Sequence, residues 1–145
     1  MSNRGDGQRS KGRGAGALRN YSELTLKLLW GRAAGHCAMP DCRMELYAEA
    51  TDYDPVVVIG DMAHVAGASD RGPRPVPALS LKERNDYENL ILLCKNCHSR
   101  IDKQARSNPE ERLKEIKQAH EAWVRASLPE RGRARSGWTI LGLQG

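Results

Sequence analysis

Apolar residues begin to recur at helical spacing just after residue 20. Leu24, Leu28 and the neighbouring Leu29 follow Ser22, a candidate N-cap, and predict a helix that stops near Gly35. The pattern then changes. "CAMPDC" (37–42) predicts a tight, Pro-containing turn, and "VVVIGDMAHV" (56–65) reads as a β-branched strand interrupted at Gly60. Residues 66–80, "AGASDRGPRPVPALS", are rich in Gly, Pro and Ser and predict a long surface loop of the kind that carries function in a compact domain. A short apolar run, Leu90 to Leu93, predicts a second strand, and the chain then turns into a helix bearing His98 and Asp102. A last helix is marked by Asn108 as N-cap, Pro109 at its first position and Glu111 at its third. Its expected apolar face is Leu113, Ile116, His120, Trp123 and Val124, with His120 and Trp123 as packing residues. No internal repeat is visible, and the central order is strand, strand, helix.

Composition narrows the picture. A chain of 145 residues with 39% hydrophobic residues and no Phe supports one small domain, and a small core calls for a staple. No apolar run approaches the ~18 residues that suggest a membrane span. Residues 1–20 form a basic, Gly/Arg-rich tail expected to be disordered, 21–127 the folded domain, and 128–145 a C-terminal tail. The apolar cluster in that tail, "GWTILGLQG", makes it a candidate docking segment. The net charge of +5 lies at the ends: +4 in the first tail and +2 in the second, leaving −1 between them. Such tails suit either sequence-independent phosphate binding or solubility, and charge alone does not choose.

The four cysteines fall as two pairs, Cys37-x4-Cys42 and Cys94-x2-Cys97, 51 residues apart. Three chemistries fit parts of this pattern. Cys94, Cys97 and His98 spell a haem-attachment string, but the start of the chain lacks the apolar stretch of a secretory signal, so a cytoplasmic setting is expected and that reading weakens. Two disulfides or four buried thiols are a second possibility. The third is a structural Zn(II) held by Cys37, Cys42, Cys94 and Cys97, which suits close-spaced pairs in a reducing compartment and leaves no open coordination position. His36, beside Cys37, is a weaker candidate to replace one thiolate. If four thiols suffice, His98 is released for other chemistry. It stands four residues before Asp102 on a predicted helix, so imidazole and carboxylate share a face and can grip one divalent ion.

With "GDMAHV", "ENLILLCKNCHSRID" and the intervening "GPR" in the order His, Asn, His among four Cys, residues 22–126 resemble the HNH endonuclease family. The resemblance implies an α+β fold: a small ββα-metal finger stapled by a four-Cys zinc knuckle, with flanking N- and C-terminal helices. It implies that His64 is the general base, that Asn89 braces the finger, and that His98 and Asp102 hold the catalytic ion. Many members carry Asp or His immediately before the base as a further ligand. Here that position is Ala63. Fewer protein ligands suit Mg(II) or Mn(II) better than tightly held zinc, with Ni(II) as another candidate ion and Asp61 as a second-tier ligand. The implied partner is DNA, with Arg71, Arg74, Lys95, Arg100 and Lys103 as candidate phosphate contacts and hydrolysis leaving 5′-phosphates. Similar small chains suggest a place in phage defence or mobile-element biology, with a regulatory protein partner or a second copy of the chain as further possible contacts. The competing expectation is an inactive, zinc-stapled module that binds nucleic acid or protein.

Overall fold

The structure, a computed structural model, describes residues 20–129. Residues 1–19 and 130–145, all but three residues of the two tails and including the "GWTILGLQG" segment, lie outside the described residues. The fold is α+β. In chain order it comprises helix α1 (Glu23–Ala33), strands β1 (Tyr47–Ala48), β2 (Val57–Val58) and β3 (Gly60–His64), and helix α2 (Leu81–Arg84). A 3-10 turn (Tyr87–Asn89), strand β4 (Leu90–Cys94) and helices α3 (Lys95–Lys103) and α4 (Glu110–Ser127) complete it.

The first helix starts where Ser22 predicts, its hydroxyl accepting the Thr25 amide at 3.1 Å. It ends at Ala33, with Ala34 and Gly35 in left-handed conformations (φ 52° and 63°). Its buried stripe differs from the expected one. Thr25, Leu29 and Ala33 face inward, while Leu24 is 66% exposed. A residue is turned by about 100° from its neighbour on a helix, and packing against α4 and β4 selects the row through Leu29 rather than the row through Leu24 and Leu28.

The apolar run at 56–65 splits into two strands, as the glycine suggests. β2 pairs with β1 in an exposed antiparallel hairpin, and β3 pairs antiparallel with β4 in the register Gly60↔Cys94 to His64↔Leu90. At Gly60 a Cβ would sit 3.0 Å from both Leu46 and Trp30, so any larger residue would have to push those side chains back. β4 is buried along its whole length and packs against both α1 and α3, which accounts for its unbroken apolar sequence. Burial of each Leu or Ile here contributes about 1.5–3 kcal/mol. With Leu29, Leu46, Ile101 and Leu113 these residues form the core.

The last helix begins one residue later than its cap signals imply. Pro109 occupies the N-cap position without a side-chain bond, and Asn108 turns back to donate to the Gln104 carbonyl at 3.0 Å. Asn108 thereby closes the end of α3, because that helix left a carbonyl within reach. His120 is buried and donates to the Ala33 carbonyl at 3.0 Å. Trp123 is 39% exposed, its ring covered by the Arg43 guanidinium at 4.2 Å. The buried face also takes in Lys117, whose ammonium lies 3.5 Å from the Tyr87 ring centroid and donates to the Tyr87 carbonyl. Among the described residues no helix is long and apolar enough to cross a membrane.

Candidate active site and metal centre

The turn at 37–42 and the start of α3 bring the four cysteines together. All four sulfurs lie within 4.8 Å of one another, and Cys42 Sγ is 3.9 Å from Cys94 Sγ. Tetrahedral zinc with Zn–S bonds of about 2.3 Å requires sulfur separations of roughly 3.8 Å. A disulfide requires about 2.05 Å. The cluster therefore fits zinc, and the four thiols are free of disulfides. Burial pushes the Cys37 thiol up to about 11 and raises Cys97 as well. At Cys94 burial acts in the same direction but is outweighed by the Cys97 amide and the neighbouring thiols, which hold it below its ordinary value. Cys94 also caps α3, its sulfur accepting the Cys97 amide at 3.3 Å. His36 is not part of the cluster; its ring bonds to the Ala34 carbonyl at 2.6 Å.

Beside the cysteine cluster lies a cavity of about 180 Å³ that brings His64 of β3 together with His98 and Asp102 of α3, walled on the side of the long loop by residues 67–69 and 72–74. Larger clefts among the described residues, of about 410, 420, 320 and 270 Å³, are lined by no imidazole, so chemistry rather than size singles out the smaller one. Gly67 makes the tight wall possible, since a Cβ there would meet the Pro73 carbonyl at 2.3 Å. The expected surface loop is thus partly interior, and Ala66 and Gly67 are buried.

Within the cavity His98 stands between two carboxylates. Nδ1 lies 3.0 Å from Asp61 Oδ2 and Nε2 lies 3.1 Å from Asp102 Oδ2. The bond to Asp102 raises the imidazole pKa, burial opposes it, and Asp61 adds to the rise. Burial lifts the Asp102 carboxyl, yet His98 and Arg74 together hold it below the usual carboxylate range. Asp61 is likewise depressed, burial being outweighed by Lys95 and His98.

His64 is 9% exposed, and its Nε2 is 3.0 Å from Asn85 Oδ1. With Oδ1 as acceptor, a neutral ring keeps its proton on Nε2 and its lone pair on Nδ1. Asn89 does not enter the cavity wall. Its amide group exchanges two bonds with Ala66, 2.8 Å from the Ala66 amide and 2.9 Å to the Ala66 carbonyl, and donates to the Arg84 carbonyl at 2.9 Å. That fastens the end of β3 to the turn before β4.

Residues 76–104 match the HNH endonuclease family. No curated protein matches the chain. The HNH match takes in Asn89, Cys94, Cys97, His98 and Asp102 and ends short of His64, Arg74 and the first cysteine pair.

The remaining candidates fall into two groups. Arg71 and Lys103 are exposed. Lys95 is exposed too but pairs with Asp61 at 2.9 Å. Arg100 forks onto Asp41 at 3.3 Å and lies 3.7 Å from Cys97 Sγ, so it ties the knuckle turn to α3. Arg74 departs furthest from a surface phosphate contact: its side chain is 6% exposed and its donors are bonded to protein acceptors. Ala63 is 0% exposed and faces the core, so the alternation of β3 turns Met62 and His64, not residue 63, toward the cavity. Asn85 and the buried role of Arg74 escape sequence reading. The only signals were an Asn after a four-residue helix and an Arg in a Gly/Pro loop.

Proposed function

We propose that the protein is a metal-dependent DNA endonuclease that hydrolyses phosphodiester bonds, with His64 as general base and His98 and Asp102 as ligands of the catalytic ion. The observation that carries this reading is the meeting of those three side chains in one cavity. His98 Nε2 and Asp102 Oδ2 lie side by side, a donor set that suits Mg(II), Mn(II) or Ni(II) with water and phosphate oxygens in the other positions. Asn85 orients the His64 ring, which takes the proton of the attacking water. Asn89 fastens the chain just after β3 to the turn before β4, the strand that runs into α3, and so braces the base relative to the ligands. A bound divalent ion supplies charge to offset that building on the scissile phosphate and the leaving 3′ oxygen. Products would carry 5′-phosphates, and Arg71 and Lys103, both exposed and next in sequence to the cavity-lining Gly72 and Asp102, are the proposed phosphate contacts. Phage defence or mobile-element biology is the proposed setting.

Incubation of plasmid with purified protein and Mg(II), Mn(II) or Ni(II) tests this. Relaxed or linear DNA is expected, with the rate falling at least a hundredfold in His64→Ala. Cleavage that survives loss of His64 removes the base assignment. The second reading, a zinc-stapled binding module without cleavage, is favoured by one observation: with Ala63 turned to the core, the cavity wall holds no third ligand from that position. DNA retention without cleavage under any ion supports it.

A further inference from the structure

An imidazole has two nitrogens, and each nitrogen of His98 meets a different carboxylate. The two carboxylates are not equivalent. Asp102 is on the cavity wall, whereas Asp61 is not. Asp61 is held on the far side of the ring, its Oδ1 taken by Lys95 Nζ at 2.9 Å and its Oδ2 directed at His98 Nδ1. β3 fixes this placement, because Asp61 pairs with Leu93, one residue from the zinc-binding Cys94. Asp102 is held in a similar way. Its Oδ1 accepts from Arg74 Nη2 at 2.7 Å, leaving Oδ2 toward His98.

Arg74 does more than occupy one oxygen. Nε donates to the Val65 carbonyl at 2.7 Å, Nη2 also to the His64 carbonyl at 3.0 Å, and Nη1 to the Ile101 carbonyl at 2.9 Å. One planar guanidinium thus joins the backbone of the proposed base to the helix turn that carries Asp102. Its own backbone is in the left-handed region, φ 50°, a conformation that a non-glycine residue keeps only where such bonding compensates.

We infer that Asp61 and Arg74 are positioning residues that act through His98 and Asp102: Asp61 holds Nδ1–H, Arg74 holds Oδ1, and Nε2 with Oδ2 is thereby the atom pair offered to the ion. This rests on the proposed ion site and revises the expected roles of both residues, Asp61 as a ligand and Arg74 as a phosphate contact. For Asp61 to ligate alongside Asp102, both carboxylates would have to reach one side of a ring whose opposite edges they now face. A ligating imidazole whose other N–H is held by a carboxylate is fixed in tautomer and orientation, and losing such a partner lowers ion affinity about 10- to 100-fold.

The test uses the full chain with its cysteine site loaded with zinc. Mn(II) binding is measured by calorimetry for the wild type, Asp61→Ala, Asp61→Asn and Arg74→Met, and long-range ¹⁵N spectra are recorded with a further equivalent of Zn(II) as a diamagnetic probe. The wild type should bind through Nε2 of His98 with the proton kept on Nδ1, and the variants should bind about 10- to 100-fold more weakly. For Asp61→Ala, cleavage at saturating ion should recover more fully than at limiting ion. A purely structural role would lower the melting temperature without this ion-dependent split. Ligation through Nδ1, or unchanged Mn(II) affinity in the variants, overturns the inference while leaving the proposed function standing. A wild type that binds no second ion overturns both.

Discussion

At the scale of single residues, the site depends on which partner each polar atom has. His98 holds its proton more firmly than an isolated imidazole because Asp102 and Asp61 face it. A catalytic ion must displace that proton, so its affinity should fall as pH drops through the raised imidazole pKa and level off above it. In the ion-free protein the sign is opposite: the bridging imidazolium stabilises the fold below 6.5, and that contribution is lost as pH rises through the raised pKa. Mn(II) calorimetry and thermal melts across pH, each repeated with His98→Gln, check both slopes. Asn85 offers a separate handle on His64, the proposed base. Asn85→Ala should lower cleavage about 10- to 100-fold, less than loss of His64 itself, and leave Mn(II) affinity unchanged. His64, Asn89, His98 and Asp102 were legible as candidates because their types and order are unusual together. Asn85 was not, since an Asn after a short helix is an ordinary turn residue until a folded chain places it 3.0 Å from an imidazole.

At the scale of elements, the finger is one antiparallel strand pair and one helix joined at the second cysteine pair, whose cluster fits zinc. Cys94 ends β4, caps α3 and belongs to the thiol cluster, so strand, helix and candidate zinc site share one residue. Removing zinc should therefore loosen the site as well as the knuckle. Chelation is expected to abolish or broaden the cooperative thermal transition seen by calorimetry, and Cys42→Ser to do so in part, since structural zinc sites contribute about 10–16 kcal/mol in small domains. An unchanged transition after verified metal removal would exclude a stapling role. The longer helices and the β3–β4 strands were readable from periodicity because each has one dominant spacing, whereas β1 and α2, of two and four residues, are too short to show one. The face that each helix buries was less so, and Leu29 rather than Leu24 points inward because β4 and α4 lie on that side. The buried Lys117 was also hidden: a lysine reads as solvated surface unless an aromatic ring and a carbonyl wait for it.

At the scale of the whole molecule, charge is separated along the chain. Residues 44–70 contain six acidic residues and no Lys or Arg, whereas residues 1–19 contain five basic residues and one acid. If those basic residues neutralise phosphates, a chain lacking residues 1–19 should bind DNA more weakly, with its salt dependence reduced by about 0.9 for each phosphate left unneutralised. Fluorescence anisotropy over a range of salt measures that slope, and the cleavage rate at saturating DNA should stay the same. The sequence by itself determined the local facts: periodicity for the elements, cysteine spacing for the staple, and a set of ionisable side chains suited to hydrolysis. Only the tertiary structure decided how those side chains pair. Asp61 lies behind the imidazole rather than beside it, Arg74 is a buried strut and Ala63 faces the core. Spacing along a chain constrains which residues share an element, but the atom that each polar group meets depends on elements brought together from distant positions, and the burial that results sets the strength of every such interaction.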